Sequence, residues 1–204
     1  MTMTLNEDAP NTVSFTSMAV GSKAEYQLLE GHERAHAAGT ADRILDALRR
    51  LDGSMGGYKI SRLDHCLQTA TRAQRDGADI DMVVTALVHD IGDMLAPFNH
   101  DSVAAAILKP YLREECTWIT EYHGLYQKKY YIHHFGGDPD ARDAYRDHPY
   151  HDSCIRFCER WDQTAFDPDY DTLDLTFFEP MVREVFGREP YDPEHIRPGA
   201  VGPA

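Results

Sequence analysis

The stretch Met82-Val83-Val84-Thr85-Ala86-Leu87-Val88 carries no charge and runs straight into His89-Asp90. A segment that apolar on every face must be buried all round, as a core helix or an interior strand. Asp79 and Asp81 just before it are good helix N-caps, and helical patterns flank it on both sides, so the spacing predicts a helix. Its end is the constraint. An imidazole beside a carboxylate at the end of a buried helix is costly unless other groups satisfy both. Any fold open to this chain must bring partners to that spot.

The rest of the chain supplies further helices. Over 41–51, Ile44, Leu45, Leu48 and Leu51 keep helical spacing, and Gly53, Gly56 and Gly57 break it. Ser61 and Asp64 form a capping box for a helix over 61–76, which Gly77 ends. Pro97 and Asn99 interrupt before a helix over 101–112, where Pro110 marks an end or a kink. Residues 114–126 place Cys116, Ile119 and His123 on one face. The stretch 136–150 reads as a loop with at most a short helix, and 152–166 and 177–186 as two more helices. Residues 1–20 keep no period, and the prolines at 190, 193, 198 and 203 predict an extended end. The expected fold is all-α: a single helical bundle over 41–186, between a polar lead-in over 1–40 and a Pro-rich tail over 187–204.

Composition narrows the function classes. No run of eighteen apolar residues occurs, and the polar, acidic N-terminus does not read as a signal peptide. Four cysteines are not spaced as a disulfide framework, and Cys154 and Cys158, four apart, read as two small buried residues on one helix face. A reducing, cytoplasmic setting is expected. The formal net charge of −14 repels phosphate backbones and anionic membranes, so the expected partner is a small molecule rather than a nucleic acid or a membrane. Oligomeric state is not encoded in any of these features.

The eleven histidines matter by their placement. His65 lies near the start of the helix before His89-Asp90. Antiparallel helices joined by a short turn bring the start of one beside the end of the other, so these residues can converge. His100 follows the Pro97 break, His123 ends the Ile119 face, and Asp162 lies in a helix beside Trp161. Four neutral imidazoles and two carboxylates make a nitrogen and oxygen site suited to iron, manganese or zinc.

These residues resemble the HD-domain superfamily. VVTALVHDIGD (83–93) looks like its namesake motif, LDHCLQTATRA supplies His65, and RWDQTAF supplies Asp162. The resemblance spans roughly 58–186 and implies an α-helical bundle with metals at its centre. Two branches compete: metal-dependent phosphohydrolases of small phosphate esters or nucleotides, and diiron oxygenases. The oxygenases, similar to myo-inositol oxygenase, add two histidines, which NHDSVAAAIL and ITEYHGLY supply as His100 and His123. In that branch Asp90 bridges a mixed-valent Fe(II)/Fe(III) pair, His65, His89 and Asp162 complete one iron, His100 and His123 the other, and O2 is the co-substrate. A catalytically dead module is disfavoured because no ligand position is missing.

Where many members continue the motif as HDxGK, this chain has Asp93 in place of the lysine, which tilts the reading toward oxygenase. Length and the LQTA…RAQRDGAD segment look most like the phosphonate-cleaving members, in particular those acting on (1-hydroxy-2-(trimethylamino)ethyl)phosphonate to give glycine betaine and phosphate. At two positions where amine-substrate members carry Tyr and Glu stand Met55 and Tyr58. Lys128, Lys129 and Arg160 are the cations near the ligands in sequence and are expected to face the phosphonate, although Arg160 lies about 200° around a helix from Asp162. Tyr126, Tyr130, Tyr131 and Phe135, together with Tyr58 and Asp93, are the candidates expected near the trimethylammonium group, which favours aromatic faces.

Overall fold

A computed structural model of the protein describes residues 11–53 and 56–198; Met55 and the two chain ends, 1–10 and 199–204, lie outside them. The described residues form helices and turns and no strand, as the all-α reading expected. The chain folds as two compact units, one over 1–40 and the other over 41–204.

The first unit holds helix α1, Lys23–Ala38. The expectation of a polar lead-in over 1–40 contained no helix, and the reason is visible: none of its residues is buried, so no apolar stripe announces it. Its signal is local. Ser22 accepts from the Glu25 amide while Glu25 accepts from the Ser22 amide, a reciprocal capping box. The same Glu25 carboxylate also accepts from the Ser14 amide and hydroxyl at 2.8 and 2.9 Å.

The second unit begins within α2, Thr40–Arg50, which buries Ala41, Ile44, Leu45 and Leu48. Helix α3, Arg62–Arg75, opens on the Ser61–Asp64 capping box, and Gly77 takes a positive φ of 77° two residues past its end. Helix α4, Ile80–Val88, is capped by Asp79, and every residue from Met82 to Val88 is buried. It packs against α3, α6 (Glu114–Tyr131) and α8 (Leu175–Phe186), which explains why the run has no polar face. Helix α5, His100–Leu108, lies against α6 and stops short of Pro110. Helix α7, His151–Phe157, continues into a single π-helical turn, Cys158–Asp162, so the helix expected over 152–166 is shorter and irregular.

Beyond α8 the described chain, as far as residue 198, does not run out extended, as its prolines suggested. It makes turns held to the bundle: the Tyr191 amide donates to the Pro110 carbonyl at 2.7 Å, and Arg188 pairs with Asp81 at 2.8 Å. No described helix is long and apolar enough to cross a membrane.

Candidate metal centre

Five segments of the second unit deliver one or two donors each. Near its start α3 carries His65, and α4 ends at His89-Asp90, so the antiparallel pair brings them together. His100 opens α5 and His123 comes from mid-α6. Asp162 ends the π-helical turn, where the Gln163 amide donates to the Cys158 carbonyl five residues back; such wide turns recur at functional sites. Gly92 allows the α4–α5 link to close. A Cβ there would lie 2.5 Å from the His100 carbonyl oxygen.

Around Asp90 the donors fall into two halves. Its Oδ1 lies 3.2 Å from Nε2 of both His100 and His123. Its Oδ2 lies 3.5 Å from Nε2 of both His65 and His89. Asp162 Oδ1 closes the second half, 3.1 Å from His65 Nε2 and 3.6 Å from His89 Nε2. Two groups, His65–His89–Asp162 and His89–Asp90–His123, have ligand atoms close enough to hold a metal ion, and all five residues are buried. The six residues expected from the sequence therefore come together.

The orientation of the rings shows what they fit. Nδ1 of His65, His89 and His123 faces a backbone carbonyl, on Ala165, Ala86 and Thr120, at 2.9, 2.8 and 2.6 Å. A carbonyl can only accept, so each Nδ1 carries the proton and each Nε2 presents a lone pair inward. In the neutral rings the Nε2 atoms of His65 and His89 then confront each other, lone pair to lone pair, at 3.2 Å. Asp162 Oδ2 is buried with no hydrogen-bond partner. Converging lone pairs and an orphaned carboxylate oxygen fit metal ions.

Electrostatics agree. Burial opposes the charged form of His65, but the Asp162 and Asp90 carboxylates outweigh it and raise its pKa. Burial likewise opposes ionised Asp90 and Asp162, yet the surrounding imidazoles hold both below the ordinary carboxylate range. Against burial, Asp90 and Asp93 lift His100 to about 9. The site calls for positive charge.

Above the donors lies a cavity of about 350 Å³, within the span of small-ligand pockets. Its walls include Tyr58, Arg62, Gln127, Tyr130, Tyr131, Gln163 and Phe166. Of the side chains expected to contact substrate, Tyr58, Tyr130 and Tyr131 are among them, and Lys128, Lys129, Arg160, Asp93, Tyr126 and Phe135 are not. Lys128 is exposed, Lys129 pairs with Asp140, and Arg160 pairs with Asp76 at 3.0 Å. Tyr126 is buried, its hydroxyl on His151 Nδ1 at 2.6 Å. Asp93 is buried between Arg62 and His100, at 2.6 and 3.1 Å.

Helical phase accounts for the two lysines. Counting from His123, Gln127, Tyr130 and Tyr131 stand at four, seven and eight residues and share its face, whereas Lys128 and Lys129 turn roughly 140° and 240° away. Arg62 is the functional residue that the sequence pattern did not single out. It stands three residues before His65, one turn away on the same helix face, and that spacing was the signal available.

No curated protein matches this sequence. The family model for Myo-inositol oxygenase matches residues 12–150, well over half of the chain. The match contains His65, His89, Asp90, His100 and His123, and it supports iron-dependent oxygenase activity in a family of diiron enzymes. Asp162 lies beyond it and is joined to the group by geometry alone. On this match, the chain belongs to the myo-inositol oxygenase family.

Proposed function

We propose that the protein is an O2-dependent diiron oxygenase that cleaves the C–P bond of a 1-hydroxy-2-(trimethylamino)ethylphosphonate-type substrate, giving glycine betaine and phosphate. His65, His89, Asp162 and Asp90 Oδ2 would hold one iron, and His100, His123 and Asp90 Oδ1 the other. Bound as a mixed-valent Fe(II)/Fe(III) pair, the metals would supply O2 binding and reduction. The carrying observation is that His100 and His123 meet the same Asp90 oxygen, while its other oxygen meets His65 and His89. One carboxylate thus faces two donor sets.

The chain's own residues have separate tasks. Backbone carbonyls fix the tautomers of three imidazoles, so their donor atoms need no proton loss to bind metal. Tyr58, Tyr130, Tyr131 and Phe166 offer aromatic faces to a quaternary ammonium, and the Gln127 and Gln163 amides offer polar contacts to hydroxyl or phosphonate oxygens. With Lys128, Lys129 and Arg160 turned elsewhere, phosphonate charge would be neutralised chiefly at the metals. The reaction balances with both atoms of O2 in products, one on the carboxylate and one on phosphate, and with release of one proton. A small cytoplasmic organophosphonate, not nucleic acid or a membrane, is the proposed partner, in keeping with the charge of −14.

The test is turnover by the iron-loaded protein under an oxygen electrode. The O2 consumed should equal the glycine betaine and the phosphate formed. Phosphate release without O2 uptake would instead mark a phosphohydrolase. Equal turnover of the primary-amine analogue would remove the argument from the aromatic wall, and turnover of myo-inositol in its place would refute the phosphonate assignment.

A further inference from the structure

Three of the four candidate imidazoles are held by backbone carbonyls at 2.6–2.9 Å, and His100 by a longer backbone contact. Its nearest carbonyl, on Pro97, lies 3.4 Å from Nδ1, at the limit of a hydrogen bond. Its side chain is 24% exposed, against 4% or less for the other three. The segment leading to it is open, with Leu95 at 87% and Phe98 fully exposed. Backbone packing therefore does little to fix this ring.

A closer partner does. Asp93 Oδ1 lies 3.1 Å from His100 Nδ1, and its side chain is 3% exposed. Asp93 is itself fixed from two directions. Its amide donates to the Asp90 carbonyl at 3.0 Å, and Arg62 Nε pairs with Oδ2 at 2.6 Å while Arg62 Nη1 donates to Asp90 Oδ2 at 2.8 Å. The guanidinium ties Asp93 to the carboxylate that faces both donor sets.

Resting on the two-metal reading above, we propose that Asp93 is the positioning residue for His100 and sets the affinity of that metal position more strongly than that of the other. A buried carboxylate 3.1 Å from Nδ1 favours the tautomer with its proton there and raises the basicity of Nε2, and loss of such a partner typically weakens metal binding about 10–100-fold. The rings of the His65–His89–Asp162 half keep their own backbone anchors, and Asp93 reaches that half indirectly, through Arg62 on Asp90 Oδ2. The two positions should therefore respond unequally.

The experiment is anaerobic titration of the metal-free full chain with Co(II), followed by its visible absorption. Wild type should take up two ions. Asp93→Ala should keep the first with an unchanged spectrum and weaken the second about 10–100-fold. Asp93→Asn, which keeps an acceptor for the imidazole N–H, should recover part of that loss and serves if the Ala variant does not fold. Equal weakening of both ions, or of neither, overturns the proposal while leaving the two-metal reading intact. A wild-type chain that takes up only one ion overturns both.

Discussion

Replacing Arg113 with alanine tests how the two helices that deliver His89, Asp90 and His123 are held in place. Arg113 precedes α6, and its side chain is 2% exposed. Its Nε pairs with Glu115 at 3.0 Å, and Nη1 reaches Asp79 and Asp81, both at the start of α4, at 3.1 and 3.2 Å. Burial lowers its pKa, but the anionic neighbours outweigh that and keep the guanidinium charged. Removing one member of a buried ion network costs about 3–5 kcal/mol, since the remaining charges stay desolvated. Asp79 is 39% exposed and its share is screened, so the cost belongs mainly to Glu115 and Asp81. In a chain of this size each kcal/mol moves Tm by roughly 2–4 °C, giving a fall of about 6–20 °C. Thermal unfolding followed by far-ultraviolet circular dichroism measures it. The control is Arg34→Ala, which removes an exposed pair with Glu30 and should change stability by less than about 1 kcal/mol. An Arg113 variant that melts with the control would show that this network does not hold α4 to α6.

Other outcomes follow from the same contacts. Arg160→Ala and Lys129→Ala should leave kcat/KM within about twofold of wild type, because each side chain is engaged by an aspartate outside the cavity; a tenfold loss of about 1.4 kcal/mol would restore them as substrate contacts. All four cysteines are buried and free, and burial pushes the Cys116 thiol up to about 12 and Cys66 and Cys158 well above their usual range. A thiol reagent at pH 8 should therefore find none in the native protein and all four in denaturant, and rapid native labelling would contradict the packing. Hydrogen bonds from Ser22 and Ser14 hold the exposed Glu25 carboxyl at about 2. A depressed folded pKa means its contribution to stability is present above the unfolded value and lost as pH falls toward 2. Carboxyl NMR titration checks this, and an ordinary midpoint near 4 would show the capping box unformed in solution.

Much of the fold was legible because burial and capping leave marks on sequence. The uncharged Met82–Val88 run is a helix buried on every side, and Ser61–Asp64 and Asp79 cap where their chemistry predicts. Helix α1 left no apolar mark, since it buries nothing, and its capping box at Ser22 was the cue. The convergence of His65 on His89-Asp90 was readable from antiparallel pairing. Substrate contacts were only partly so, Tyr58, Tyr130 and Tyr131 among the aromatics but none of the expected cations, because closeness in sequence to a ligand differs from sharing its face. Lys128 and Lys129 lie near His123 along the chain yet turn off its stripe, while Gln127 and Tyr130 stay on it. Arg62 was hidden for another reason: its partners Asp90 and Asp93 are set by the packing of α3 on α4, which no local pattern specifies.

The central claim is that Asp90 stands between two irons. The most direct test is metal analysis of the iron-grown protein combined with EPR spectroscopy of the half-oxidised sample. Two irons per chain and the half-integer-spin signal of a coupled Fe(II)/Fe(III) pair are expected. A single metal per chain, zinc in place of iron, or only the signal of isolated Fe(III) would contradict it.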